Sequence, residues 1–543
     1  MKLCWFMDFN SRRSPVLGRN GAVASSQPLA SVVGHDILKR GGNAADAAVA
    51  MAAVLNVTEP VSTGIGGDVF VLFYDAEKSK VRGINASGRA PKKLNINFLE
   101  EKGIKDKLPP FSPYTVTVPG AVAGWIDTIE KFGTMTLKEV LSPAIELAEK
   151  GFPVSPITAY SWKRGEKQLK QWGKKSELLI NGRSPHAGEI MKNPNLAKVF
   201  REIVEHGTAG FYEGWVAEKI VKTLEKFGGV LTLEDLKEHR NTYPEPISIN
   251  YKGVNVYEIP PNGQGITALI GLNIIENFEI TLYRHNSAQY LHLLIETMRL
   301  AFADSRWYVT DPEFNNIPIE ELLSKEYAKK RSELIDLEKA MINVEKGSPT
   351  GSSDTVYFNV VDGEGNACSF INSNYMGFGT GLIPEGTGFT LQNRGANFVL
   401  QRDHPNMLEP RKRPYHTIIP GMATYADTEE LWGPFGVMGG FMQPQGHLQV
   451  LLNMIDFRMD PQTALDKSRF CILDANTNGK VAIEEGISFN TLAELARKGH
   501  NIVPVTGYAR SVFGRGQIIF NNRDNKVLWA GSDPRADGMA IAY

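Results

Sequence analysis

Residues 346–374 read KGSPTGSSD-TVYFNVV-DGEGNA-CSFINSN, and their order sets the architecture of the chain. Gly, Pro and Ser dominate 346–354, which reads as an exposed loop. Two β-rich runs then flank an Asp-Gly turn, the signature of a β-hairpin. A strand therefore begins at Thr355, directly behind a segment suited to flexibility. Working outward, residues 28–40 carry helical periodicity closed by Gly41-Gly42, and Asn43 caps a second helix through about residue 56. TGIGGDVFVLFYD at 63–75 is a Gly-rich turn feeding an apolar strand, while 137–151 and 286–306 read as helices. The Lys-rich stretch 162–175 reads as a polar surface segment. Gly and Pro recur from 377 to 421, which predicts loops crossing a sheet edge. The pattern is mixed helix and sheet.

Composition removes several classes. Of the 543 residues, 42% are hydrophobic and 22% charged, as in an ordinary globular chain. Lys+Arg total 59 against 60 Asp+Glu, a net charge of -1, which argues against nucleic acid as a partner. Length alone, at ~150 residues per domain, suggests roughly three or four domains. Cys4, Cys368 and Cys471 form neither a disulfide framework nor a zinc spacing, so a reducing compartment is expected. The most apolar run, 44–57, is interrupted by Asp46 and falls short of the ~18 residues of a membrane helix. The N-terminus lacks the apolar core of a signal peptide. The expectation is a cytoplasmic protein with no membrane partner. The ten histidines show no HExxH or similar spacing, so no metal or other cofactor is expected.

Thr355 deserves the chemistry question because a threonine hydroxyl is a weak nucleophile without an adjacent base. An N-terminal threonine carries its own base, an α-amine with pKa ~7.7–8.0. An internal threonine gains that amine only if the chain is cut before it. The Asp354–Thr355 bond lies where a flexible loop meets a strand, the setting such a cut requires. On pattern alone, the residue reads as an ordinary strand starter.

The segment TVYFNVVDGEGNACSF, followed by FGTG and GTGFTLQNR, resembles the start of the small subunit of gamma-glutamyltransferases. These are N-terminal-nucleophile hydrolases that cleave themselves before a threonine. SSQPLAS, KRGGNAADAAVAMA, GIGGDVF, VPGAVAGW, IPPNGQGITALIGLNIIENF and AFADSRWYVTDPEF extend the resemblance over nearly the whole chain. It implies an α+β fold, a four-layer αββα sandwich. It also implies one catalytic unit cut into a large subunit, 1–354, and a small subunit, 355–543. The partners it implies are the two fragments in a heterodimer, with pairing of two such heterodimers as a further option. Thr355 would be the nucleophile and Asp354–Thr355 the cleaved bond. Ser373 would hydrogen-bond near the nucleophile, and Gly439 and Gly440 would stabilise the oxyanion through backbone N–H groups. Ser373 as a plain polar strand residue and Gly439-Gly440 as a plain turn are the structural alternatives.

The residues that would bind substrate depart from the family pattern. Where the family has an arginine, ungapped reading places Ser87, with Arg89 two residues on and suited to carboxylate binding. Tyr375 stands at an asparagine position beside Asn374. Arg394 replaces a glutamine, and Asn397 replaces the aspartate that pairs with the substrate ammonium. His416 and Thr417 replace two serines. Losing the carboxylate and gaining a guanidinium favours an acyl group ending in a carboxylate over an α-amino acid. Ordinary salt bridges are the alternative for Arg89 and Arg394. Gln443, Gln445 and His447 read as buried hydrogen-bonding groups.

The leading expectation is a self-processing amidohydrolase or acyltransferase. Its substrate would be a gamma-glutamyl or dicarboxylic acyl amide, its acceptor water, an amino acid or a peptide. A glutaryl or cephalosporin-type acylase and an unprocessed, non-catalytic relative are the competing readings. A phosphate-binding enzyme built on GIGGD is disfavoured, because no GKS or GKT follows.

Overall fold

The computed structural model describes residues 13–173, 176–341, 354–475 and 479–543. Two antiparallel sheets face each other and helices cover their outer sides. One sheet has six strands in the order Met539–Ala542, Ala22–Ser25, Asp354–Val361, Ala367–Tyr375, Asp68–Asp75 and Lys80–Ala86. The other has seven, in the order Val16–Gly18, Val527–Ser532, Arg515–Asn522, Leu431–Met438, Gly421–Tyr425, Val254–Glu258 and Ile247–Tyr251. Strands from both ends of the chain share each sheet, so the three or four separate domains suggested by length do not form. The expected α+β, four-layer αββα arrangement is present.

The layering follows from side-chain alternation. Successive residues of a strand point to opposite faces. Val356, Phe358 and Val360 pack into the core under one helix layer, while Tyr357 and Val361 pack between the sheets. Val69, Val71 and Phe73 alternate in the same way with Phe70, Leu72 and Tyr74. Both faces of these strands are dry, so they read as continuous apolar runs although the sheet is antiparallel.

The helix Ala44–Thr58 is buried along its whole length, and its many alanines let it lie close to the sheet. Asn43 and Asp46 close a capping box at its start. Pro28–Lys39 and Ala121–Phe132 complete the same layer around it. Gly265–Ile275, Ala288–Tyr308 and Met442–Ile455 cover the seven-stranded sheet. The Lys-rich stretch at 162–175 departs from its reading as a surface segment. Up to Gln171 it belongs to the helix Pro156–Gln171, which buries Trp162 and Leu169 and turns its lysines outward, two of them onto Glu166. Its apolar residues are too sparse to announce a face, but they recur at helical spacing.

The TGIGG turn is a close-packing device. A Cβ on Gly66 would lie 2.1 Å from the Thr390 carbonyl oxygen, and one on Gly67 only 2.2 Å from that of Ser373. Gly67 lets the backbone run this close to the hairpin that begins at Asp354, and Gly66 lets it run close to the segment at Thr390. Gly67→Ala is expected to destabilise the fold by about 1–3 kcal/mol through overpacking. A lowered thermal midpoint would show it, and an unchanged midpoint would contradict the close-approach account.

Candidate active site

Thr355 is the second residue of the strand Asp354–Val361, and it is fully buried. Alternation places its side chain on the same face as Tyr357, toward the space between the sheets. The pairing of this strand with Ala367–Tyr375 shifts register between Asn372 and Tyr375, opposite Thr355. Tyr375 takes φ +77°, rare for a non-glycine residue. Such bulges re-aim side chains. Here the irregularity accompanies a contact in which the Ser373 hydroxyl lies 2.9 Å from Thr355 Oγ1.

A chain of contacts leads outward from that pair. Ser373 Oγ accepts from the Tyr375 N–H at 2.9 Å and from Arg394 Nη2 at 3.2 Å. Arg394 Nη1 donates to Thr417 Oγ1 at 2.6 Å. Its guanidinium lies 4.4 Å from the centroid of the Tyr375 ring, whose hydroxyl donates to Asn397 Oδ1 at 2.7 Å. Gln264 Nε2 donates to the Thr417 carbonyl at 2.6 Å and to the Gly440 carbonyl at 2.8 Å. Gly439 and Gly440 adopt φ +135° and +61°, and their N–H groups meet no acceptor among the described residues. One network therefore joins Thr355, Ser373, Arg394, Thr417 and the Gly439-Gly440 turn.

Arg394 is wholly buried, and burial lowers its guanidinium to about 10, against the opposing pull of Asp68. His416 Nδ1 accepts from the Ile418 N–H at 3.4 Å, so Nε2 carries the proton and donates to Asp68 at 2.9 Å. Burial, reinforced by Arg394, holds His416 down at about 3, so it is neutral at working pH. Asp68 Oδ1 accepts from the N–H groups of Gly88 and Gly120 at 3.1 and 3.2 Å and from Gln392 Nε2 at 2.9 Å. This one carboxylate thereby ties together five segments around the site.

The remaining predicted residues distribute as follows. Asn374 is buried and donates to Thr390 Oγ1 at 3.3 Å. Arg89 is held elsewhere, with Nη2 2.6 Å from Glu313 and Nη1 3.3 Å from the Arg240 carbonyl, the salt-bridge alternative. Gln443 receives the Ile419 N–H at 2.9 Å, Gln445 bonds to Phe441 and Ile472, and His447 meets Glu258 at 2.7 Å. All three are buried hydrogen-bonding groups. Asp354 opens the strand opposite Tyr375, and the loop before it lies outside the described residues. His292, Glu296 and His500 bring metal-type ligand atoms within 4.8 Å of one another. Those groups are already engaged, His292 with His500 at 2.7 Å and Glu296 with Arg299 at 2.9 Å, and they stand outside the Thr355 network.

Asp68, Gln264 and Gln392 were missed by sequence reading. For Asp68 the signal was available, since a carboxylate directly precedes the apolar run VFVLF of the strand DVFVLFYD. A charge there is tolerated only with donors around it. The two glutamines carried no such signal.

The gamma-glutamyltranspeptidase family model matches residues 30–543. The chain belongs to the gamma-glutamyltranspeptidase family. It is an enzyme of the N-terminal-nucleophile amidohydrolase and transpeptidase type. It is 37% identical to the glutathione hydrolase-like YwrD proenzyme of Bacillus subtilis, over 97% of this chain and 99% of that one. It is 30% identical to the oxamate amidohydrolase proenzyme of Klebsiella pneumoniae, over 96% and 98%. Among solved structures, the cephalosporin acylase from Bacillus halodurans superposes with a TM-score of 0.93 at 45% identity, covering 100% of this chain and 99% of that one.

In this family member the buried His416 gives a pH test. An unfolded histidine titrates near 6.5. Native His416 stays neutral down to about 3, so below pH 6.5 the unfolded chain binds the extra proton and stability falls. The cost is up to about 1.4 kcal/mol per pH unit. His416→Gln should therefore lose less stability than the unaltered chain between pH 7.5 and 5. Equal losses in denaturant titrations at the two pH values would contradict the assignment.

Proposed function

We propose that the chain is a self-processing N-terminal threonine amidohydrolase and acyltransferase, cut between Asp354 and Thr355. The observation that carries this reading is the Thr355–Ser373 hydroxyl pair at 2.9 Å, linked through Arg394, Thr417 and Gln264 to the Gly439-Gly440 turn. The pair sits at the start of a rigid central strand, which suits a nucleophile that needs fixed geometry. Thr355 is fully buried in the uncut chain, in keeping with a precursor that is silent until the preceding segment leaves.

After cleavage, the Thr355 α-amine takes the hydroxyl proton as Oγ1 bonds to the acyl carbon of an amide. The carbonyl oxygen gains the electron pair and is met by the N–H groups of Gly439 and Gly440, which have no acceptor among the described residues. Collapse expels the amine with a proton from the Thr355 ammonium and leaves an ester on Oγ1. Water, or an amine acceptor, then attacks the ester and releases the acyl group.

The acyl group we favour is one ending in a carboxylate, of the gamma-glutamyl or glutaryl kind. Arg394 Nε and Asn397 Nδ2 are buried donors that meet no acceptor among the described residues, and both belong to the turn Arg394–Asn397. Unsatisfied buried donors are costly and invite an anionic acceptor. The amide of Asn397 offers an ammonium group only a neutral dipole, which favours glutaryl over gamma-glutamyl chains. The likeness to a cephalosporin acylase structure supports the same preference. Arg89, committed to Glu313, is not given a substrate role.

On a denaturing gel the purified protein should give fragments of 354 and 189 residues. Thr355→Ala should remain a single full-length band without amidase activity. Cleavage that persists in that variant would overturn the assignment of Thr355. Asn397→Asp should raise the ratio of kcat/KM for gamma-glutamyl over glutaryl anilide by about 10-fold. An unchanged ratio would reject the account of the acyl pocket.

A further inference from the structure

We propose that Gln264 is a positioning residue for the reaction, a brace that holds the Gly439-Gly440 turn in register with the acyl pocket. The proposal rests on the reading of Thr355 as the nucleophile and of this turn as the oxyanion site, and it adds to that site a residue that sequence reading did not single out.

The need for a brace follows from the turn itself. Two glycines at φ +135° and +61° adopt a conformation that other residues rarely reach. The same freedom lets the turn leave it. Within its own segment the turn is held by two bonds. The Met442 N–H donates to the Gly439 carbonyl at 3.0 Å, and the Gln443 N–H to the Gly440 carbonyl at 3.1 Å. Among the described residues, Gln264 is the one side chain that bonds to either glycine, with Nε2 2.8 Å from the Gly440 carbonyl.

The amide of Gln264 is itself fixed. Its Nε2 hydrogens go to the carbonyls of Gly440 and Thr417, at 2.8 and 2.6 Å, and carbonyls only accept. The Tyr415 hydroxyl donates to Oε1 at 2.9 Å. The amide therefore has one orientation. Its backbone is anchored too, because the Gln264 N–H donates to the His416 carbonyl at 2.9 Å and the His416 N–H to the Asn262 carbonyl at 2.8 Å. Gln264, Tyr415 and Thr417 are all buried, so water does not compete for these bonds.

One amide thus spans two sides of the site, the turn that meets the acyl oxygen and the segment behind the acyl pocket. Thr417 meets Gln264 through its carbonyl and Arg394 through its hydroxyl, so the pocket keeps its own contact when the brace is lost. Gln264 lies in the 1–354 fragment, whereas Thr355, Thr417 and both glycines lie in the 355–543 fragment, and the brace crosses between them. Fixed dipoles stabilise a transition state only while they keep their aim. Loss of Gln264 therefore weakens the oxyanion site and spares binding of the acyl chain.

The test uses the self-processed protein, Gln264→Met and Tyr415→Phe. The first keeps the length of the side chain and removes its three bonds, and the second removes the bond that orients the amide. Gels give the processed fraction and thermal midpoints confirm folding. Each protein is assayed for kcat/KM on glutaryl anilide and for inhibition by 4-boronobutanoate and by glutarate. Boron accepts an electron pair from Thr355 Oγ1, whose proton passes to the α-amine, and the tetrahedral anion places one oxygen at the turn. Glutarate fills the acyl pocket alone. Gln264→Met should lower kcat/KM and weaken the boronate by the same factor, about 10- to 100-fold, with glutarate inhibition changed less than twofold. Tyr415→Phe should move the same two quantities by about 2- to 10-fold. In the Gln264→Met background it should add less than twofold, because both act through one amide.

Unchanged boronate inhibition in Gln264→Met, or equal weakening of boronate and glutarate, would overturn the proposal. Full additivity of the two substitutions would also overturn it. A Gln264→Met protein that fails to fold or to cut itself leaves the decision to Tyr415→Phe, by the same split. Failure of the underlying reading is a separate outcome, because there the unaltered protein turns over the anilide and forms no boronate adduct on Thr355.

Discussion

The structure turns on a single contact, the 2.9 Å hydrogen bond between the buried hydroxyls of Thr355 and Ser373. A polar pair there must be satisfied by its surroundings, because water does not reach it. The surroundings do so in order. A register shift in the central hairpin accompanies the meeting of the two hydroxyls, and a backbone N–H and a guanidinium also donate to the serine. A second hydroxyl anchors the guanidinium, and a glutamine carries the network to the glycine turn. The glycines at 66 and 67 permit the close approach on which this arrangement depends. Fold and site are therefore one construction, and strands from both ends of the chain are needed to close it.

Much of this was legible in the sequence, for definite physical reasons. The hairpin beginning at Thr355 was visible because β-rich runs around an Asp-Gly turn have few other solutions. The helix Ala44–Thr58 was visible from its cap and its apolar length. The four-layer arrangement was expected through resemblance, since strands buried on both faces lose the alternation that would announce a layer. The helix Pro156–Gln171 was hidden because its exposed lysines outweigh a narrow apolar face.

The site was legible in part. Thr355, Ser373, Arg394, Thr417 and the Gly439-Gly440 turn were named from sequence, and the structure brings them into one network. Their partners were not visible. Gln264 and Gln392 act across sequence separations of more than a hundred residues, as donors to atoms that no local pattern identifies. Arg89 is held by a different charge. A guanidinium two residues from a family position satisfied the pattern, yet Glu313 lies near enough to claim it. Position along the chain finds candidates for charge, and only the surrounding charges decide which one remains directed at the site.

The central claim is that Thr355, as a new N-terminus, carries the acyl group. The most direct measurement is mass spectrometry of the enzyme quenched in acid during turnover of glutaryl anilide, followed by digestion. The small fragment should begin at Thr355, and its N-terminal peptide should carry one glutaryl group that disappears when substrate is exhausted. Turnover with no adduct on that peptide, or with the adduct on another residue, would contradict the account.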